Sequence, residues 1–159
     1  MLIGIDGNEA NIQKRVGSGQ YAFELLKQFH SLSVIPAKAG IQKDTPKNWI
    51  LDQVENDKGI SFIVYLKDEP LSDLPKESKN FKYKVFGPQK FWTQFALPIR
   101  LILGSDLDVF FSMAHYGPRF SKVHYVVTIH DLSFLHYPTM FKKNDLYQLT
   151  SWTKYSVKN

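Results

Sequence analysis

Residues 108–111 (Asp-Val-Phe-Phe) and 125–129 (Tyr-Val-Val-Thr-Ile) are compact apolar runs without polar alternation. A strand with one wet face alternates, so a run that does not is expected in the middle of a sheet covered on both faces, most often a parallel one. A third run, Leu-Ile-Gly-Ile at 2–5, stops at Asp6-Gly7-Asn8, a turn-rich exit from a buried strand. After a polar loop, Tyr21, Ala22, Leu25, Leu26 and Phe29 recur at helical spacing, with Ser18 available as N-cap and Gly17 and Gly19 loosening the approach. Together these make a first βα unit.

Residues 60–66 and 81–86 are rich in β-branched and aromatic side chains, and Gly, Pro and Asp at 68–75 and 87–88 punctuate them as two further strands. Residues 91–103 read as a helix that Pro98 should kink. Leu146, Leu149, Thr153 and Val157 form one side of an amphipathic helix starting near Lys143 or Asn144. This order predicts one α/β domain over 1–159, a parallel sheet with helices on both faces. Residues 33–59, with Pro36, Gly40, Pro46 and Gly59 among many charges, make an unusually long connection and read as an inserted loop. Within it, 34–42 resembles a peptide encoded by mobile DNA repeats in bacterial reading frames.

Composition closes several routes. The chain has no cysteine, which excludes a disulfide framework, thiolate metal ligands and a Cys nucleophile, and is compatible with a reducing, cytoplasmic setting. Asp6 interrupts the first apolar run and no basic leader precedes it, so a secretory signal is not expected. Residues 95–103 carry Pro98 and Arg100 and fall far short of the roughly 20 residues of a spanning helix. The net charge of +5 is spread among 15 acidic residues without an aromatic-plus-basic nucleic-acid motif, which favours an ordinary solvated surface and no nucleic-acid partner.

Three loops carry side chains that can do chemistry. Gly17-Ser18-Gly19 can bring backbone N–H groups to a phosphate, or can simply open the helix; for a dinucleotide fold it lies too far from Ile5. His130-Asp131 ends the run 125–129 and should emerge at the carboxyl edge of a strand, where open α/β sheets place ligands. An imidazole there can exchange hydrogen bonds with a sugar hydroxyl, while Asp131 can orient it, cap the next segment, or accept from a ligand. The loop 112–119, Ser-Met-Ala-His-Tyr-Gly-Pro-Arg, brings His115, Tyr116 and Arg119 to the same edge, either as anion and hydroxyl contacts or as a rigid Gly-Pro surface loop. His30, His124 and His136 lack ligand spacing, so no metal and no cofactor are expected. No hydrolase elbow, Walker-type loop or His-Glu-x-x-His helix is present.

Taken in order, Ile3-Gly4-Ile5-Asp6-Gly7, Arg15-Val16-Gly17-Ser18-Gly19-Gln20-Tyr21, Asp108-Val109-Phe110-Phe111-Ser112 and Val126-Val127-Thr128-Ile129-His130-Asp131-Leu132-Ser133 resemble the N-terminal domain of family 4 glycosyltransferases. Residues 134–141 continue the likeness, which covers the chain outside 33–59. The resemblance implies a Rossmann-like domain, one half of a GT-B architecture, and transfer of a sugar with retention and without a metal. It places Gly17 and Gly19 by the donor phosphate or acceptor, His130 by the transferred sugar as the catalytic contact, and His115 and Arg119 facing the acceptor. Asp131 is not expected to be a nucleophile, because in this family the leaving phosphate is thought to assist deprotonation. The donor-binding domain and a last strand are not in the sequence, so a truncated chain without turnover of its own is expected.

The enzyme reading is thus a hexosyltransferase-type half, taking a nucleotide sugar to a saccharide or lipid-linked acceptor in surface-polysaccharide synthesis, with peripheral membrane association possible. The alternative is a non-catalytic sugar-binding or regulatory module, or half of a split enzyme. A nicotinamide oxidoreductase is disfavoured by the distance from Ile5 to Gly17.

Overall fold

The computed structural model describes residues 1–34, 59–104 and 106–158; nearly all of the suspected insert at 33–59 lies outside them. Five strands, β1 (Leu2–Asp6), β2 (Ser61–Leu66), β3 (Phe81–Val85), β4 (Val109–Ser112) and β5 (Tyr125–Val127), form one sheet in the order β3-β2-β1-β4-β5. Every neighbouring pair is parallel. The helices are α1 (Ser18–Val34), α2 (Leu97–Gly104), α3 (Ser133–His136) and α4 (Lys143–Lys158). This is the α/β, Rossmann-like parallel sheet that the unalternating runs predict.

The pleat sorts the apolar residues into two cores. Ile5, Phe62 and Val64, with Ile3 and Phe111 against them, pack with Ala22 and Leu26 of α1 on one face. Tyr65 and Phe110, with Leu2 and Ile63 against them, pack with Trp92, Leu97 and Leu101 on the other. Each such side chain, fully buried, contributes about 1.5–3 kcal/mol. Both faces being covered, a one-residue slip would exchange the two cores wholesale, which fixes the register.

The sequence reading needs four local corrections. Ser18 does not precede α1 but begins it, and its hydroxyl donates to Glu9 Oε2 at 3.0 Å. In place of one kinked helix over 91–103, Phe91 takes a left-handed conformation (φ 59°) and a π turn, Trp92–Ala96, leads into α2. Pro98 lacks the N–H that would bond back to Gln94, and the Leu97 N–H instead reaches Trp92 O, five residues back. The wide turn lets Trp92 and Leu97 both face the sheet. Third, β5 is an edge strand among the described residues rather than a central one, and Val126 is 55% exposed. Last, the buried side of α4 centres on Thr153 and Ser156, leaving Val157 exposed, because Ser156 Oγ accepts from the Gly117 N–H (2.9 Å) and Trp152 meets the Tyr116 ring. Among the described residues no helix is long and apolar enough to cross a membrane.

Candidate functional site at the carboxyl edge of the sheet

β1 hands the chain to β2 on one side, and β4 lies on its other side, so the carboxyl ends of β1 and β4 flank the point where strand order reverses. Loops diverge there and leave a crevice. Asp6 and Ser112 stand opposite each other at its floor. Asp6 is buried; its Oδ1 accepts from the backbone N–H (3.1 Å) and side-chain amide (2.8 Å) of Asn8. Burial raises its pKa to about 6 and outweighs the Asn8 hydrogen bonds that pull it down. Ser112 Oγ donates to Tyr116 O at 2.8 Å, folding the second loop back over its strand.

The first wall is the loop after β1. Asn8 Oδ1 accepts from the Lys67 N–H (2.9 Å), and Asn11 Oδ1 from the Leu71 N–H (2.9 Å) while its amide donates to Glu69 O (3.0 Å), so two asparagines stitch this loop to the one after β2. Arg15 forks onto Asp73 (Nη2 to Oδ1, 3.0 Å) and lies over the Phe23 ring at 4.1 Å. The loop then turns through Gly17, whose φ of +51° disfavours an L side chain and whose missing Cβ would face open space. Gly19 differs: a Cβ there would lie 3.0 Å from Ile12 Cδ1 and 3.1 Å from Glu9 O, so this glycine serves close packing of helix on loop. Its N–H is held by Val16 O (3.1 Å). Of the two glycines, Gly17 is therefore the one open to a ligand.

The second wall holds the imidazoles. His130 Nε2 lies 2.9 Å from Met113 O. A carbonyl can only accept, so Nε2 carries the proton, and in the neutral ring Nδ1 is left as an acceptor. The Tyr21 ring from α1 meets His130 edge-on at 5.2 Å, with its hydroxyl 3.5 Å from Thr128 Oγ1. The His115 ring also lies 5.2 Å from His130, and Phe134 of α3 backs His115 at 6.3 Å. Burial first, and the neighbouring His130 second, hold the His115 pKa below the ordinary value, against the opposing pull of Asp131 and Glu9. Both effects favour the uncharged ring, and its Nδ1 is buried with no hydrogen-bond partner.

The structure thus brings Gly17, Tyr21, His115 and His130 to one edge. Asp131 bonds forward: its Oδ1 accepts from the Ser133 N–H (2.8 Å) and hydroxyl (2.6 Å) in an Asx turn that leads into α3, and Ser133 keeps its pKa low. Its partner is Ser133, and that of His130 is Met113 O. The contacts of Arg119 lie elsewhere: its guanidinium sits over Trp152 (5.7 Å) and Tyr155 (5.4 Å) of α4, beside a small cavity shared with Thr93 and Gln94.

Three residues escape sequence reasoning. Helical spacing presents Tyr21 only as a core position of α1, though it is exposed and touches His130. Asp6 reads only as a turn residue. Glu9 bonds Ser18 and raises the Tyr116 pKa, second to burial. A carboxylate three residues past the end of β1 was the available signal for it. Among the described residues no group of three or more His, Asp or Glu is placed to hold a metal ion. No family model matches the sequence, and no curated protein or solved structure matches it.

Proposed function

We propose that the chain is the acceptor-side half of a retaining GT-B, family 4 type glycosyltransferase, which moves a hexose or related sugar from a nucleotide donor onto a saccharide or lipid-linked acceptor. The single observation that carries this is the cluster of Tyr21, His115 and His130 at the β1/β4 crevice. Rings that carry hydrogen-bonding atoms suit sugars, whose C–H faces pack on aromatics and whose hydroxyls exchange hydrogen bonds.

In this reading His130 Nδ1 accepts from a hydroxyl of the transferred sugar, while the Met113 carbonyl fixes the ring and its tautomer. His115, whose uncharged form burial and His130 favour, offers a contact to the acceptor. The open turn at Gly17 leaves room for a phosphate or a hydroxyl to approach backbone. In a GT-B architecture a donor-binding domain forms the other wall of the cleft.

The test pairs the chain with a donor-binding domain, fused or in trans, and follows transfer of labelled sugar from a series of nucleotide sugars. In parallel, imidazole resonances of the chain alone are followed during saccharide titration. Transfer that depends on His130, with His115 and His130 resonances moving together, is expected. A folded chain whose imidazoles ignore every saccharide, and whose pairing yields no product, overturns the reading.

A further inference from the structure

We infer that the hollow between the π turn, the loop after β4 and α4 is a binding site for a small carboxylic acid, held by Arg119. This does not rest on the sugar-transfer reading.

Three elements far apart in the sequence close around the hollow: Thr93 and Gln94 come from the π turn, Tyr116 and Arg119 from the loop after β4, and Trp152 and Tyr155 from α4. Its donors are idle. The half-buried guanidinium of Arg119 lies over Trp152 at 5.7 Å and Tyr155 at 5.4 Å, yet it makes no hydrogen bond and no ion pair among the described residues. The Thr93 hydroxyl and the Gln94 amide, also half-buried, have no hydrogen-bond partner there either. Among the described residues no carboxylate lines the hollow. Rings beneath a guanidinium fix its position and leave the N–H fork at its edge to an acceptor. A recess that collects a fixed cation and two neutral donors, with no acceptor charge of its own, is complementary to an anion.

Backbone strain gathers at the same place. The non-glycine residues with positive φ among the described ones are Phe91 (59°) and Phe120 (57°). Phe91 directly precedes the π turn that presents Thr93 and Gln94, and Phe120 directly follows Arg119. The rings are 66% and 71% exposed, so burial of the rings does not compensate a left-handed backbone that is unfavourable for bulky residues. What both turns achieve is to bring their neighbours to the hollow.

Charge and size name the ligand. Glu9 and Asp6 raise the Tyr116 pKa, behind burial, so the field at that wall is negative apart from Arg119. One guanidinium balances a singly charged anion, whereas a phosphate dianion keeps an uncompensated charge. A carboxylate takes two parallel hydrogen bonds from the fork and has lone pairs left for the amide and the hydroxyl. The rings of Tyr116, Trp152 and Tyr155 suit an apolar body behind it. The space free of atoms, about 230 Å³ up to the open mouth, is below the roughly 300 Å³ at which pockets for drug-sized ligands begin, so the acid is small.

The experiment follows amide and indole resonances of the chain as sodium benzoate, acetate or inorganic phosphate is added at neutral pH and constant ionic strength. Saturable shifts of the Gly117 amide and the Trp152 indole are expected, with affinity highest for benzoate, lower for acetate and lowest for phosphate. Arg119→Gln should weaken benzoate binding about tenfold or more, and Arg119→Lys, which keeps the charge and loses the fork, by nearly as much. Gln94→Ala should lower the affinity about threefold at an unchanged melting temperature, since one neutral hydrogen bond is removed from a side chain that bonds nothing else among the described residues. Shifts that never saturate, or that survive Arg119→Gln unchanged, overturn the proposal. If Arg119→Gln does not fold, Gln94→Ala decides, and parental affinity in that variant overturns it as well. Phosphate binding tighter than benzoate would make this a phosphoryl site and also sink the assignment.

Discussion

The two walls of the crevice are built on different principles. The loop after β1 is long and polar, yet it is held from outside itself: Asn8 and Asn11 bond backbone of the loop after β2, and Arg15 reaches Asp73. The loops after β4 and β5 hold mainly to themselves and to α4, through Ser112 to Tyr116 O, Asp131 to Ser133 and Gly117 to Ser156. The first wall is a fixed frame braced by hydrogen bonds to another strand's loop, and the second carries the imidazoles on local turns. Substitutions in the first should register as stability and in the second as function.

The largest departure from that rule is expected at the floor, where Asp6 belongs to both walls. Its folded pKa of about 6 lies above the ordinary 3.8. A carboxyl raised on folding contributes stability that is fully present below the unfolded value and is lost as pH rises through the folded one. The gap corresponds to about 3 kcal/mol. Asp6→Asn keeps an acceptor for Asn8 and removes the buried charge, so it should match the parent near pH 4 and exceed it by up to about 3 kcal/mol above pH 7. Urea denaturation across that range measures this. A difference independent of pH would show that the carboxyl is not desolvated as the fold implies.

Next in size is His130→Ala, measured where a donor domain restores transfer. A hydrogen bond that strengthens as charge develops on the departing nucleotide acts in the transition state, so kcat should fall about 10²-fold, about 2.7 kcal/mol. The melting temperature should change little, since the ring bonds one carbonyl at a partly exposed site. Normal turnover with a lost melting temperature would make His130 a brace and erase the contrast between the walls.

Asn11→Ala tests the other wall. It removes the acceptor for the Leu71 N–H and the donor to Glu69 O. Freed backbone groups at a part-buried position cost about 1–3 kcal/mol. Stability should fall by that amount in thermal and urea unfolding, with kcat of the folded fraction unchanged. A fall in kcat without destabilisation would place this loop in the chemistry.

Much of this was legible in the sequence because strands and amphipathic helices announce themselves by pattern. The unalternating run at 108–111 told of a sheet covered on both faces, and Gly/Asp exits told where chains leave it, whereas the run at 125–129 misled, because β5 lies at the edge among the described residues. What was lost is what pattern does not encode. Pro98 signals that a helix must be interrupted, but the choice of a π turn depends on Trp92 and Leu97 both finding the sheet. The side-chain direction of Arg119 depends on Trp152 and Tyr155, more than thirty residues on. Glu9 is a lone carboxylate in a loop, without periodicity; it bonds Ser18 locally but reaches Tyr116 only when β1 and β4 pair. Local chemistry was readable where it is short-range: an Asp two residues before a Ser, as at Asp131 and Ser133, is an Asx turn waiting for a helix.

The smallest effect sharpens the comparison at that turn. Asp131 is exposed, and its Oδ1 holds Ser133 in the Asx turn that leads into α3. If that turn is its whole task, Asp131→Asn should be nearly silent, because an amide oxygen accepts the same two hydrogen bonds, and Asp131→Ala should lower the melting temperature by less than Asn11→Ala does. If the carboxylate also receives an acceptor hydroxyl, both substitutions should raise KM for the acceptor about tenfold, since a hydrogen bond to a charged group is lost in each. The pair of variants separates the two uses without relying on either alone. A silent Asn variant confines the chemistry of the second wall to its imidazoles; a raised KM in both extends it to the Asx turn, and makes the start of α3 part of the acceptor site.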